Sequence, residues 1–211
     1  MEPDLTLYHA PQTRSSGVRI LLEELAAPHT LDVLDLPSGR GREPDYLRIN
    51  PLGKVPALRH GEALITEQAA IYLYLADLFP ERGLAPPIGD PLRGPYLRWM
   101  VFYGSTFEPA VVDRALQREP GPRAMSPYGD FDAVLGTVVE ALTPGPYLLG
   151  DRHSAADVLW GAALSWTTSF KLVPEEPAIM AYLARINARP AVRKIMAAEA
   201  ALSAELEAAR A

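Results

Sequence analysis

The stretch from Asn50 to Leu75 constrains this chain most, because Asn-Pro-Leu-Gly-Lys-Val-Pro-Ala-Leu is followed closely by Thr-Glu-Gln-Ala-Ala-Ile-Tyr-Leu-Tyr-Leu. Val55 to Leu58 reads as a short strand entered through Pro56. A strand that lacks one N–H lies at a sheet edge or bends there, and an edge of that kind can pair with a peptide-like ligand. His60-Gly61-Glu62 reads as a tight reversal, Ala63-Leu64-Ile65 as a returning strand, and Thr66 as an N-cap for a helix from Glu67 to about Leu78. A helix N-terminus presents unpaired N–H groups and a positive dipole end that suit a carboxylate. Glu67 beside it offers a negative partner for an amine, so the pair would hold an amino-acid head group.

Upstream, Leu5-Thr6-Leu7-Tyr8-His9 alternates like a strand, and turn formers from Pro11 to Gly17 break it before the periodic run Val18 to Leu25. Thr30 to Leu36 adds a second strand, which makes the first quarter a βαβ unit with a right-handed crossover. A polar loop, Ser38 to Arg42, and a short helical segment near Pro44 to Ile49 complete a βαβ-α-ββα order by about Phe79. Pro80 to Pro95 is rich in Pro and Gly, and beyond it only helical patterns occur: Tyr96 to about Arg118 with a kink at Pro109, Phe131 to Leu142, a segment opened by Ser154-Ala-Ala-Asp157, Met180 to Ala188, and Val192 to about Ala209. Ser154 with Asp157 three positions on predicts a capping box. The division expected is a domain over 1–80, a linker over 81–94 and an all-helical domain over 95–211.

With 211 residues and 48% hydrophobic content, the chain can bury a substantial core. The net charge of -6 with scattered basic residues disfavours nucleic acid and anionic membranes as partners. No apolar run reaches the roughly 18 residues of a membrane span, and Glu2 and Asp4 argue against a signal-peptide start, so a soluble cytoplasmic protein is expected. There is no Cys, so thiol chemistry must come from a ligand. His9, His29, His60 and His153 are isolated in sequence and show no metal-ligand spacing, so no metal is expected.

The motif Asn-Pro-Leu-Gly-Lys-Val-Pro-Ala-Leu with Thr-Glu-Gln-Ala-Ala-Ile-Tyr-Leu-Tyr-Leu resembles the glutathione-binding signature of the glutathione transferases, and the bacterial serine/threonine-type members in particular. The resemblance covers nearly the whole chain. It implies a thioredoxin-like α/β domain followed by an all-α helical bundle, a homodimer, and glutathione as co-substrate beside a small apolar electrophile. It also implies that Val55 pairs its backbone with the cysteinyl part of glutathione, that Pro56 is cis, and that Glu67 and Gln68 receive the γ-glutamyl group. Gln68 stands where the family usually has Ser.

Bound glutathione needs a donor to its thiol, whose ordinary pKa is about 8.5. Lowering that by about two units takes roughly 2.7 kcal/mol of preference for the thiolate. The loop after the first strand offers Thr13, Ser15 and Ser16. By the resemblance, counting forward from Tyr8 places Thr13 where the serine-type members have their hydroxyl, counting back from Val18-Arg19 favours Gln12, and Thr13-Arg14-Ser15 is similar to the Ser-Arg-Ser of many bacterial members, which favours Thr13 with Ser15 second. These hydroxyls equally suit capping of the first helix. Arg14, Lys54, Arg40 and Arg42 are cations for the glycine carboxylate, or solvated charges. Trp99, Phe102, Tyr103, Phe107 and Trp166 are candidates for an electrophile pocket, and the spacing of the first three also suits a core face. The alternatives are a glutathione-dependent disulfide or peroxide reductase and a non-catalytic binding protein.

Overall fold

The computed structural model describes residues 4–118 and 121–210; Glu2 lies outside them. Among these residues the chain forms two compact units, one running to Arg82 and resuming from Arg189, the other Gly83–Ala188.

The first unit is built on a four-stranded sheet of order β2-β1-β3-β4, with β1 Leu5–His9, β2 Thr30–Val33, β3 Ala57–His60 and β4 Ala63–Ile65. β1 pairs parallel with β2 and antiparallel with β3, and β3 pairs antiparallel with β4. All five residues of β1 are buried, as a central strand covered on both faces must be. α1 Ser15–Glu24 and α2 Pro44–Leu47 lie between these strands in sequence, and α3 Gln68–Leu78 follows β4. α1 turns Val18, Leu21 and Leu22 inward, all at 0% exposure, while α3 buries Ile71, Tyr72 and Leu75. On the other face Tyr8, Leu34, Tyr46 and Ala57 form a smaller cluster.

The Val55-Pro56 peptide bond is cis, as the resemblance implies, while the strand limits shift from those expected. β3 is an internal strand, and Pro56 stands just before it at a cis peptide bond, so its missing N–H falls outside the ladder. The turn between β3 and β4 is correspondingly shorter, with Gly61 at φ 55 supplying the left-handed conformation. β2 also ends at Val33, three residues before the Leu36 expected from hydrophobicity.

In the second unit, α4 Arg93–Phe102 passes through a π-helical turn, Tyr103–Phe107, into α5 Glu108–Ala115. Pro109, where a kink is expected from sequence, occupies the first turn of α5 directly after the π-helical turn. α6 Phe131–Leu142, α7 Ala155–Ser169 and α8 Pro177–Asn187 complete the unit.

Trp160 on α7 is fully buried and donates Nε1–H to the carbonyl of Trp99 at 3.0 Å. Trp99, Phe102, Tyr103 and Phe107 pack around it with ring centroids 4.9–6.1 Å away. Asp157, at 0% exposure, accepts from the Ser154 backbone N–H and hydroxyl (both 2.9 Å), the Leu148 N–H (2.9 Å) and the Tyr182 hydroxyl (3.2 Å). The expected capping box is therefore the core of a larger buried network. Burial raises the Asp157 carboxyl pKa against the pull of these bonds.

The last helix, α9 Pro190–Arg210, belongs to the first unit rather than to the helical one. Its buried residues Val192, Ile195 and Glu199 follow helical spacing. Arg189 grips Glu24 of α1 through two bonds of 2.6 and 2.7 Å, and Lys194 pairs with Glu23 at 2.7 Å. An apolar stripe shows that a helix packs but does not name its partner, so the 95–211 division expected from sequence does not separate this element. Among the described residues no helix is long and apolar enough to cross a membrane.

α7 and α8 meet closely at Gly161, where an added Cβ would lie 2.5 Å from Cγ2 of the buried Ile186. Overpacking of this kind costs about 1–3 kcal/mol, against a helix-propensity gain of up to about 1 kcal/mol for Ala over Gly. Gly161→Ala is expected to lower the thermal midpoint by a few degrees. Adding Ile186→Ala should give a double variant less destabilised than the sum of the single ones, measured by calorimetry.

Candidate active site

Strand directions gather the candidate residues. β1 and β4 end, and β3 begins, at the same end of the sheet. The loop Ala10–Arg14, the Val55-Pro56 step and the start of α3 therefore converge there, outside the strand ends where open α/β sheets bind ligands.

Three structural devices shape this end. In the loop before β3, Asn50 accepts from Leu52 N–H at 3.1 Å and donates to the Lys54 carbonyl at 2.8 Å, and the Tyr46 hydroxyl donates to that same carbonyl. Burial, with Tyr8 and Asp32 nearby, pushes the Tyr46 phenol up to about 12, so it stays a donor. Gly53 has φ 62, and a Cβ there would lie 2.5 Å from the Gly41 carbonyl. Held in this way, Val55 presents a backbone N–H and carbonyl that pair with no described residue.

At α3, Glu67 occupies the N-cap position with φ 65 and ψ 115, one residue later than the Thr66 expected from sequence. The Glu67 side chain makes no capping bond to the helix, whose N-terminal end favours an anion. A non-glycine residue at this φ is a sterically costly arrangement that only surrounding structure sustains. Gln68 donates Nε2–H to the Arg14 carbonyl at 3.1 Å, tying the start of α3 to the loop before α1.

The third device is that loop. Thr13 is half-buried; its hydroxyl donates to the Ala10 carbonyl at 2.7 Å, and its Oγ1 accepts from Ser15 N–H at 3.2 Å. Ser16 N–H donates to the Thr13 carbonyl, so Thr13 also caps the helix. Ser15 has 0% exposure, with its Oγ 2.7 Å from Thr13 Oγ1, 2.8 Å from His9 Nδ1 and 3.0 Å from the Ala10 carbonyl. Ser16 gives its hydroxyl to Glu199. Of the three hydroxyls, Thr13 alone is both accessible and uncommitted to a buried ion.

Arg14, Arg40, Arg42, Lys54 and Glu67 are exposed, and Gln68 is half-buried. Arg40 lies 3.5 Å from Glu43, while the Lys54 ammonium pairs with no described residue. In the second unit Trp99, Tyr103 and Phe107 are buried in the Trp160 cluster and Phe102 is half-buried against it, so this stripe serves as core. Trp166, 46% exposed, stacks on Phe170.

Sequence reasoning passed over His9 and Glu199. His9 is completely buried at the end of β1, and its Nε2 lies 3.1 Å from Glu199 Oε1, close enough for an ion pair though angled off a hydrogen bond. Glu199 also receives Arg19 at 2.5 Å and the Gln12 backbone N–H at 3.3 Å. The one available signal was its register: seven residues after Val192 and four after Ile195, Glu199 falls on the buried face of an otherwise alanine-rich helix. Among the described residues no cluster of His, Cys, Asp and Glu is placed to hold a metal.

Residues 3–77 match the family model for the glutathione S-transferase N-terminal domain, and residues 128–190 that for the C-terminal domain. The chain is 30% identical to glutathione S-transferase GstA of Escherichia coli O157:H7, over 92% of this chain and 98% of that one. A glutathione transferase from Methylococcus capsulatus superposes with TM-score 0.78 at 35% identity, covering 93% and 98% of the two chains. A glutathione transferase homolog from Sulfitobacter, solved with bound glutathione, gives TM-score 0.74 at 30% identity with the same coverage. The chain belongs to the glutathione S-transferase family.

Burial works to raise the Glu199 pKa, but the contacts from His9 and Ser16 and the charges of His9 and Arg19 outweigh it and bring the carboxyl to about 2. A depressed folded value means that the stabilisation is present above the ordinary value of 4.5 and is lost as pH falls toward 2. The shift corresponds to about 3 kcal/mol. Urea denaturation of the wild type should show that loss across the window, whereas Glu199→Gln should be less stable at pH 6 and lack the slope. Parallel curves for the two proteins would contradict the assignment.

Proposed function

We infer that this protein is a glutathione transferase in which Thr13 donates its hydroxyl hydrogen bond to the thiolate of bound glutathione. The observation that carries the reading is the convergence, at one end of the sheet, of an accessible hydroxyl at a helix start, a backbone pair at Val55 that meets no described residue, and a helix N-terminus that the Glu67 side chain does not cap. Each answers one part of the tripeptide. The Val55 N–H and carbonyl pair with the cysteinyl backbone, as a strand would. The N-terminal end of α3 takes the γ-glutamyl carboxylate and Glu67 its amine.

Lys54 supplies the cation for the glycine carboxylate, with Arg14 and Arg40 as further candidates. Gln68, in place of the family's usual Ser, braces Arg14 through the Arg14 carbonyl and so keeps the Thr13 loop against α3. The chemistry is nucleophilic attack by the thiolate on an apolar electrophile, accelerated by orientation and by the lowered thiol pKa.

The test is an ultraviolet titration of the bound thiolate in wild type and Thr13→Ala. A wild-type pKa about two units below the free value, returned upward in Thr13→Ala, is expected. The variant then forms roughly 100-fold less thiolate at low pH, with a matching fall in conjugation rate. If the wild type binds glutathione without a thiolate band, the non-catalytic reading replaces this one. Thiolate formation with turnover of disulfides and none of electrophiles would favour a reductase.

A further inference from the structure

Behind Thr13 lies an unbroken line of polar atoms that donation to a thiolate does not by itself require. Thr13 Oγ1 is 2.7 Å from Ser15 Oγ, Ser15 Oγ is 2.8 Å from His9 Nδ1, and His9 Nε2 is 3.1 Å from Glu199 Oε1. Ser15, His9 and Glu199 have exposures of 0%, 0% and 3%, so from Ser15 inward the line runs through protein rather than solvent. Arg19 shares Oε1 with His9, while Oε2 is held by Ser16 and the Gln12 N–H.

We propose that His9 is the acceptor of the glutathione thiol proton, reached through the Thr13 and Ser15 hydroxyls, with Glu199 as the positioning residue that pairs the resulting imidazolium. The inference rests on the assignment of Thr13 to the thiol. The S–H bond breaks and a new O–H bond forms on Thr13. Thr13 passes its own proton to Ser15 Oγ, and Ser15 passes its own to His9 Nδ1. The electron pair stays on sulfur and no proton leaves the protein.

In the product state the Thr13 hydroxyl turns from the Ala10 carbonyl, 2.7 Å away, to the thiolate. His9 Nδ1–H and the Ala10 N–H, 3.2 Å away, fill the acceptor positions of Ser15. Ser15 then donates to Thr13 Oγ1, which also accepts from Ser15 N–H, so the remaining Thr13 proton points to the thiolate. One rearrangement removes the thiol proton and aims the donor.

Charge favours the same outcome. Before transfer the buried group holds Glu199 and Arg19, which balance; afterwards the imidazolium offsets the new thiolate. The other ions on the α1–α9 contact, Glu23 with Lys194 and Glu24 with Arg189, are already paired. The neighbouring strand β2 opposes His9 with apolar Val33.

Calorimetric titration in two buffers of different ionisation enthalpy counts the protons released on binding. S-methylglutathione, which has no thiol proton, gives the baseline. Near pH 7 the wild type should show the thiolate band, with the glutathione count exceeding the S-methylglutathione count by close to zero. In Ser15→Ala and His9→Asn the thiolate should form only at higher pH and release about one proton each.

Release of about one proton per thiolate by the wild type would overturn the relay while leaving the Thr13 assignment intact, as would variants that keep the wild-type count and pH profile. A wild type without a thiolate band would overturn both. If His9→Asn does not fold, the wild type and Ser15→Ala, which loses a single oxygen, decide the question.

Discussion

The buried carboxylate of Glu199 is the interaction on which the first unit depends. It comes from the last helix of the chain and binds the end of β1 through His9, the N-terminal half of α1 through Ser16 and Arg19, and the loop between them through Gln12. An ionised group taken out of water is tolerable only when its partners replace the lost hydration. Four partners do so here. Removing any of them leaves charge or hydrogen-bonding capacity stranded, which fixes the loop that carries Thr13 to within a single arrangement of hydroxyls.

Sheet topology supplies the second constraint. Because β3 runs antiparallel to β1 and β4 antiparallel to β3, segments separated by some forty residues in sequence meet at one sheet end. Gly53 and Gly41 pass too closely for a side chain, and Asn50 and Tyr46 converge on the Lys54 carbonyl. The result is an ordered stretch of backbone whose polar groups remain unpaired at Val55. Unpaired backbone groups held in place by rigid neighbours are what an extended peptide ligand requires.

The helical unit follows a different rule. Its interior is organised by one aromatic residue, Trp160, and one carboxylate, Asp157, both on α7. The tryptophan supplies bulk and a single satisfied N–H, while the carboxylate gathers the ends of neighbouring segments through four hydrogen bonds. The aromatic stripe on α4 is thereby committed to packing, which leaves Trp166 as the exposed member of the set read from sequence.

Sequence alone determined what depends on local chemistry. The alternation of Leu5 to His9, the Ser154 and Asp157 box, the limits of α6 and the motif from Asn50 to Leu75 are all short-range patterns in which neighbouring residues decide the outcome. The strand order of the sheet, the allegiance of α9 and the separation of Thr13 from Ser15 and Ser16 were decided only by tertiary structure. Thr13, Ser15 and Ser16 are chemically alike and adjacent, so no pattern distinguishes them. Their partners do: His9 holds Ser15, and Glu199 holds Ser16 from more than 180 residues away. A periodic apolar face specifies that a helix is covered, and long-range packing and charge pairing specify by what.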